Sequence, residues 1–353
     1  MAQRIPLLKE LRLFRIDDSQ IEDHLIEHLR TLRSTGLPDG DESYSRHRVF
    51  LDDRAKISRR ADQLIKARSR FDQGGHLKRD ERKLLKPIME GVTLEGPKSV
   101  HEVDEIAAKL FEEMPWLQSV IHTLWLDMRH HIQQGGTGLK FRPTLLQSPP
   151  GLGKSHLIKR LSELCKLPTV QIDGGSGSEG FPLSGVGRGW GSAECGRPLK
   201  VMLSRAVANP IVCIDEIDKA GVAESTSGLS TSLHHALLGL LEPISAESWT
   251  CPFFQTTFDM SHINWIMSCN DASRLPEPLR TRVRTVYIVP PTDKQMTEFI
   301  KREVLKRGMS ECVVRNVQQL MCCARQYQMG NSIRMAVRLI DELHRLDQVP
   351  LFH

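Results

Sequence analysis

The chain has 353 residues, of which 40% are hydrophobic and 26% charged, and a formal net charge of +5. That length suffices for two or three domains with a substantial core, and the composition is ordinary for a soluble globular protein. No apolar run approaches the roughly 18 residues needed to cross a bilayer. The N-terminal M-A-Q-R-I-P-L-L-K-E-L-R is broken by charge too often for a secretory signal, and the eight cysteines form no C-x-x-C pair. The expectation is a cytoplasmic protein with no membrane partner.

Residues 1–100 read as mostly helical, with Ile21, Leu25, Ile26, Leu29 and Leu32 at helical spacing. Turn-forming stretches at 34–41 and 72–75 interrupt them. His24-Leu25-Ile26-Glu27-His28 fits H-x-x-E-H literally. It lies on a charged amphipathic helix without an obvious third ligand, so no metal is expected there. Between Leu51 and Lys86 stand twelve basic and six acidic residues, with Phe71 the single aromatic. Interspersed acids favour a solvated helical face. The rival reading is a surface for nucleic acid or an acidic partner.

Residues 101–290 alternate helical patterns with short apolar runs, which argues for an α/β sheet. The adjacent pairs His130-His131 and His234-His235 point to different sides of a helix and are expected at the surface or in packing. Phe141–Gln147 reads as a buried strand, followed by S-P-P-G-L-G-K-S at 148–155 and a helix from about Lys154. This nearly fits the phosphate loop G-x-x-x-x-G-K-[ST], with Ser148 in place of the first glycine. Gly151 and Gly153 let the backbone turn its N–H groups toward phosphate, and the helix N-terminus adds positive potential. The expected ATP-binding stretch is Pro150, Gly151, Leu152, Gly153, Lys154, Ser155 and His156. Lys154 would reach the β/γ-phosphates and Ser155 would hold Mg²⁺.

A strand over Thr169–Ile172 leads into a glycine-rich stretch, 173–196, which includes Gly177 and Trp190. Next comes I-V-C-I-D-E at 211–216: a buried parallel strand with Asp215 and Glu216 at the end where open α/β sheets bind ligands. Asp215 is the expected second metal residue, and Glu216 the group that polarises the attacking water. Pro290-Pro291 marks a junction to helices over Thr292–Arg307, Glu311–Gln328 and Ser332–Leu346. Cys322 and Cys323 fall in this helical pattern and are expected to pack.

From about Met114 to Leu346 the chain resembles an AAA+ ATPase, and within that group the ATPase domain of Lon. The resemblance is carried by P-P-G-L-G-K-S, I-V-C-I-D-E-I-D-K (211–219), L-L-G-L-L-E-P (237–243), F-D-M-S-H-I-N-W-I-M-S-C-N (258–270), L-P-E-P-L-R-T-R-V (275–283) and G-N-S-I-R (330–334). It implies a P-loop parallel sheet with helices on both faces, preceded by a helical N-terminal region and followed by a small helical lid (1–100, 101–290 and 291–353). It also implies ATP and Mg²⁺ as cofactors, and a homo-oligomer, by family a hexamer. Asn270 takes the sensor-1 place and would orient the lytic water; the bland alternative is a polar turn residue. Arg334 takes the sensor-2 place. Arg282 is favoured as the arginine finger, with Arg280 and Arg284 as rivals; the Lon pattern has an acid where this chain has Thr281.

R-G-W-G-S-A (188–193) looks like the Lon element that grips polypeptide in the central pore, with Trp190 as the gripping aromatic. Its alternative is a Trp packed back on its own domain. The acidic-basic run of the Lon loop is missing, which puts the substrate class in doubt. The Lon peptidase domain needs far more chain than follows the lid, so no peptide cleavage by this chain is expected. The functional expectation is ATP-driven protein remodelling or threading. Its rivals are a nucleotide-gated loader on nucleic acid or a partner complex, and a slow ATP switch.

Overall fold

The computed structural model describes residues 4–8, 20–34, 49–69, 76–175, 180–220, 232–326 and 332–347. The turns at 35–41 and 72–75, together with Phe71, Gly177, Gly330 and Asn331, lie outside the described residues. The chain divides into two compact units, residues 10–89 and residues 1–9 with 90–353.

The smaller unit holds helices α1 (Ile21–Ser34), α2 (Leu51–Ser69) and α3 (Arg79–Leu85). Glu22 and Asp23 sit in the first turn of α1 and Arg33 in its last, matching the helix dipole. Arg33 then forks onto Asp53 at the start of α2, both contacts at 3.0 Å. The Phe50 N–H donates to the same carboxylate at 3.1 Å. That bond, with Arg33, holds the Asp53 carboxyl below its usual range. In α3, Glu81 reaches back to accept the Lys78 N–H at 2.8 Å. Among the described residues no three His, Cys, Asp or Glu gather as a ligand set.

The larger unit opens with β1 (Arg4–Ile5) paired antiparallel to β2 (Val92–Thr93), where the sequence pattern suggests helix. Helices α4 (Val100–Glu113) and α5 (Gln118–Gln133) follow. Ser99 caps α4, its Oγ accepting the Glu102 N–H at 3.2 Å. Then come β3 (Thr144–Gln147), α6 (Lys154–Cys165), β4 (Thr169–Asp173), the short α7 (Phe181–Ser184), α8 (Arg197–Arg205) and β5 (Ile211–Asp215). After these lie α9 (Leu233–Leu241), α10 (Pro243–Glu247), the hairpin β6 (Trp249–Cys251) and β7 (Thr256–Phe258), β8 (Asn264–Cys269), α11 (Glu277–Arg280) and β9 (Arg284–Tyr287). Within 258–270, Phe258 closes the hairpin and β8 begins at Asn264.

Strands β4-β5-β8-β3-β9 form one parallel sheet in that order, flanked by helices. β5 is buried over Ile211–Ile214 and β8 along its whole length, as central parallel strands are. The lid is α12 (Asp293–Lys306), α13 (Glu311–Gln326) and α14 (Ile333–Asp347). Its core residues Phe299, Ile300, Val304, Val317 and Ile340 are continuous with Leu152, Leu157 and Leu161 of the sheet domain. Cys322 and Cys323 are exposed on α13, contrary to the packing expected of them: the apolar face of this helix turns through Val314, Val317 and Met321 instead. No described helix is long and apolar enough to cross a membrane.

Candidate active site

The register of the sheet assembles the site. Gln147 pairs with Cys269 across β3 and β8, Ile214 pairs with Met267 across β5 and β8, and Asp173 pairs with Asp215 across β4 and β5. Four strands therefore end on one edge, and the loops after them converge. This edge, at the carboxyl ends of parallel strands, is where such sheets bind ligands.

The loop after β3 turns through Gly151 (φ +82°) and Gly153 (φ +93°), left-handed values that a side chain would strain. Space excludes a side chain at Gly151 as well, since an added Cβ would stand 2.9 Å from Ser332. Gly153 caps α6, so the free N–H groups of its first turn face outward. Lys154 folds back on the loop: its Nζ donates to Ser148 O at 3.2 Å and Ser148 Oγ at 2.9 Å. Ser148, which replaces the usual glycine, is buried and serves as a resting acceptor for the ammonium. Burial pushes the Lys154 ammonium below its usual range, while Asp215, Asp218 and Glu216 pull the other way. Leu152 is buried, and its carbonyl accepts the indole N–H of Trp116 at 2.9 Å. Pro150, Ser155 and His156 are exposed. The Arg334 N–H, in the first turn of α14, donates to Gly151 O at 3.1 Å. Its side chain is exposed. Lid and loop are thus tied by backbone.

Asp215 ends β5. Gln171 of β4 donates to its Oδ2 at 2.8 Å, and Ser268 of β8 donates to its Oδ1 at 3.1 Å. The same Ser268 Oγ accepts the Glu216 N–H at 3.2 Å. Glu216 is held at φ +53°, a left-handed conformation rare for a residue with a side chain. Its carboxylate is half-exposed and paired with Lys219 at 2.8 Å. Asn270 follows β8 with an exposed side chain; its N–H, and that of Asp271, donate to Asp218 Oδ2 at 3.2 Å. Burial pushes the Cys269 thiol up to about 12, so it stays a neutral wall of the site.

Ser155 Oγ and the Asp215 carboxylate are oxygen donors of the kind a hard divalent cation takes, and the Ser155 hydroxyl has no hydrogen bond among the described residues. The buried Asp218 Oδ1 also lacks a hydrogen-bond partner. The residues present fit Mg²⁺.

Arg282 and Trp190 stand apart from this group, with no hydrogen bond to it among the described residues. Arg282 donates to Glu242 Oε2 at 3.1 Å and to Pro278 O at 2.9 Å. Arg284 is committed within its own domain, forked onto Asp127. Arg280 is exposed at the end of α11. Trp190 lies between Gly185 and Cys195, which close a loop by a β-bridge and a Val186 N–H to Glu194 O bond of 2.8 Å. Trp190 as a whole residue is 74% exposed. Arg188 anchors this loop to the β6–β7 turn by donating to Phe253 O at 2.8 Å.

Trp116, Gln171, Ser268 and Asp218 are additions from the structure. Ser268 had a sequence signal, a hydroxyl inside the apolar run W-I-M-S-C. Asp218 stands in the I-D-K that follows Glu216. Trp116 and Gln171 had none.

Residues 144–291 match the family model described as "ATPase family associated with various cellular activities (AAA)". Lon protease 4 of Sorangium cellulosum (strain So ce56) is 28% identical over 212 residues, covering 60% of this chain and 25% of that protein. Lon protease 1 of Bacillus subtilis (strain 168) is 28% identical over 180 residues, 51% of this chain and 23% of its own. Lon protease of Treponema pallidum (strain Nichols) is 27% identical over 207 residues, 57% and 23%. The part of the chain that carries the site is an AAA ATPase domain. Its sequence is Lon-like, and the match spans about a quarter of the length of these relatives.

Proposed function

We propose that this chain is an Mg²⁺-dependent ATPase that works as an oligomeric ring, by family likeness a hexamer, and spends hydrolysis on remodelling or threading a protein. The observation that carries the reading is the convergence of the Lys154 loop, Asp215, Glu216 and Asn270 on one edge of β3, β5 and β8. N–H groups of the 151–155 turn would cradle the phosphates. Lys154 would exchange its Ser148 contacts for phosphate oxygens. Ser155 and Asp215 would hold Mg²⁺, which neutralises phosphate charge when bound. Glu216 would take the proton of the attacking water as its oxygen bonds to the γ-phosphorus and the bridging bond to ADP breaks. Asn270 would orient that water, Arg334 would join the lid to the nucleotide, and Arg282 of the partner subunit would spread positive charge over the transition state.

The exposed Trp190 on its closed loop supports a polypeptide as the substrate of the motion, because a large rigid ring presses on an extended chain without reading its sequence. Turnover by Glu216→Gln tests the chemistry. It should keep ATP and lose at least about a hundred-fold in rate, the scale of a lost general base. Near-normal turnover would refute the assignment. Trp190→Ala tests the work: basal hydrolysis should persist while unfolding of a tagged protein client stops.

A further inference from the structure

We propose that Asp218 is a third carboxylate of the active site: one oxygen fixes the Asn270 backbone, and the other receives a water of the hydrated magnesium held by Ser155 and Asp215. The inference rests on the ATPase reading and adds a residue to it.

Asp218 lies in the 3₁₀ turn Ile217–Lys219 that follows the strained Glu216. Its Oδ2 accepts two backbone N–H groups, from Asn270 and Asp271, each at 3.2 Å. This strap joins the turn after β5 to the turn after β8. Its Oδ1 is buried and has no hydrogen-bond partner among the described residues. A carboxylate oxygen shut from water without a donor is costly, and native structures rarely keep one without a ligand to meet it. Two ammonium groups that feel the Asp218 charge are engaged elsewhere. Lys154 is close enough to feel the Asp218 charge, but its Nζ is committed to Ser148 and would turn to phosphate when ATP binds. Lys219 is held by Glu216 at 2.8 Å. Magnesium keeps several of its waters, and those waters are donors. An outer carboxylate that accepts from them orients the hydrated ion, as second partners of metal sites do.

Asp218→Asn separates the two roles. The asparagine oxygen can still accept both N–H groups, which forces its NH₂, a donor, into the place of the orphaned oxygen. The probe is mant-AMP-PNP, a fluorescent non-hydrolysable ATP analogue, bound first in EDTA and then along a MgCl₂ titration. The expected result is a magnesium half-saturation raised about ten-fold, with affinity in EDTA within about two-fold of wild type. An unchanged half-saturation overturns the proposal. An equal loss in EDTA also overturns it, because the orphaned oxygen would then serve Lys154 or the fold. Should Asp218→Asn not fold, Asp218→Ser gives the same readout with a hydroxyl that accepts one N–H. Wild-type protein that binds no analogue at all brings down the ATPase reading itself, whereas normal wild-type binding with an indifferent variant brings down only this step.

Discussion

The indole N–H of Trp116 donates to the Leu152 carbonyl at 2.9 Å, across 36 residues of chain. The same ring meets Phe299 of the lid edge-on, centroids 5.4 Å apart. One side chain therefore ties together the segment before α5, the phosphate loop and the lid. Leu152 lies between the two left-handed glycines, so its carbonyl sets how the loop turns.

Trp116→Phe should loosen all three. It keeps most of the ring and removes the donor, leaving a buried carbonyl unpaired. The expected cost is about 1–3 kcal/mol of stability by denaturant unfolding, together with weaker ATP binding by calorimetry. Unchanged affinity at reduced stability would show that the bond serves the core and not the loop.

Ser268→Ala removes the hydroxyl shared by Asp215 and Glu216. The methyl group fits the buried space, so the fold should survive with a loss of about 1–2 kcal/mol. The larger effect should be on kcat, because nothing else in the described structure holds the Glu216 N–H. Ser268→Thr, which keeps the hydroxyl, should restore most of the turnover. Equal kcat for the alanine variant and wild type would remove Ser268 from the site.

Local chemistry made part of this legible beforehand. The strand-loop-helix around Lys154 follows from glycines that permit left-handed turns and from leucines at helical spacing. The run Ile211–Ile214 before two acids reads as a buried strand because both its faces are apolar. Other features are long-range and leave no local mark. The order β4-β5-β8-β3-β9 depends on pairings between residues far apart in the chain, such as Gln147 with Cys269. The pairing of Arg4–Ile5 with Val92–Thr93 takes two short segments out of a region otherwise patterned as helix. Gln171 and Trp116 acquire their roles only through partners 44 and 36 residues away.

Lys140 gives a pH dependence of known sign. It lines a cavity of about 800 Å³ together with His262, Trp265 and Phe141, and its Nζ donates to Ser261 O. Burial pushes its ammonium down to about 8, although Asp259 pulls it up. Between about 8 and the ordinary 10.5 the unfolded chain binds more protons than the folded one, so stability rises with pH over that window. Below it, the buried charge costs on the order of 3 kcal/mol. Lys140→Met should therefore flatten the stability curve between pH 8 and 10, measured by urea unfolding. Parallel curves for the two proteins would refute a buried, charged Lys140.

The Arg282–Glu242 pair at 3.1 Å leaves the Arg282 side chain one third exposed, with no hydrogen bond to Lys154, Asp215 or Glu216 among the described residues. An arginine that acts on the next subunit predicts complementation. Arg282→Ala and Glu216→Gln should each be nearly inactive alone, since such fingers contribute about 10³–10⁵ in rate. Mixed before assembly, they should recover hydrolysis, because some interfaces then pair an intact Glu216 with an intact Arg282. Activity that stays at the sum of the two separate variants would place the working arginine elsewhere, and Arg280→Ala becomes the partner to mix. Arg284→Ala should instead lower stability through the lost Asp127 pair, with no recovery on mixing.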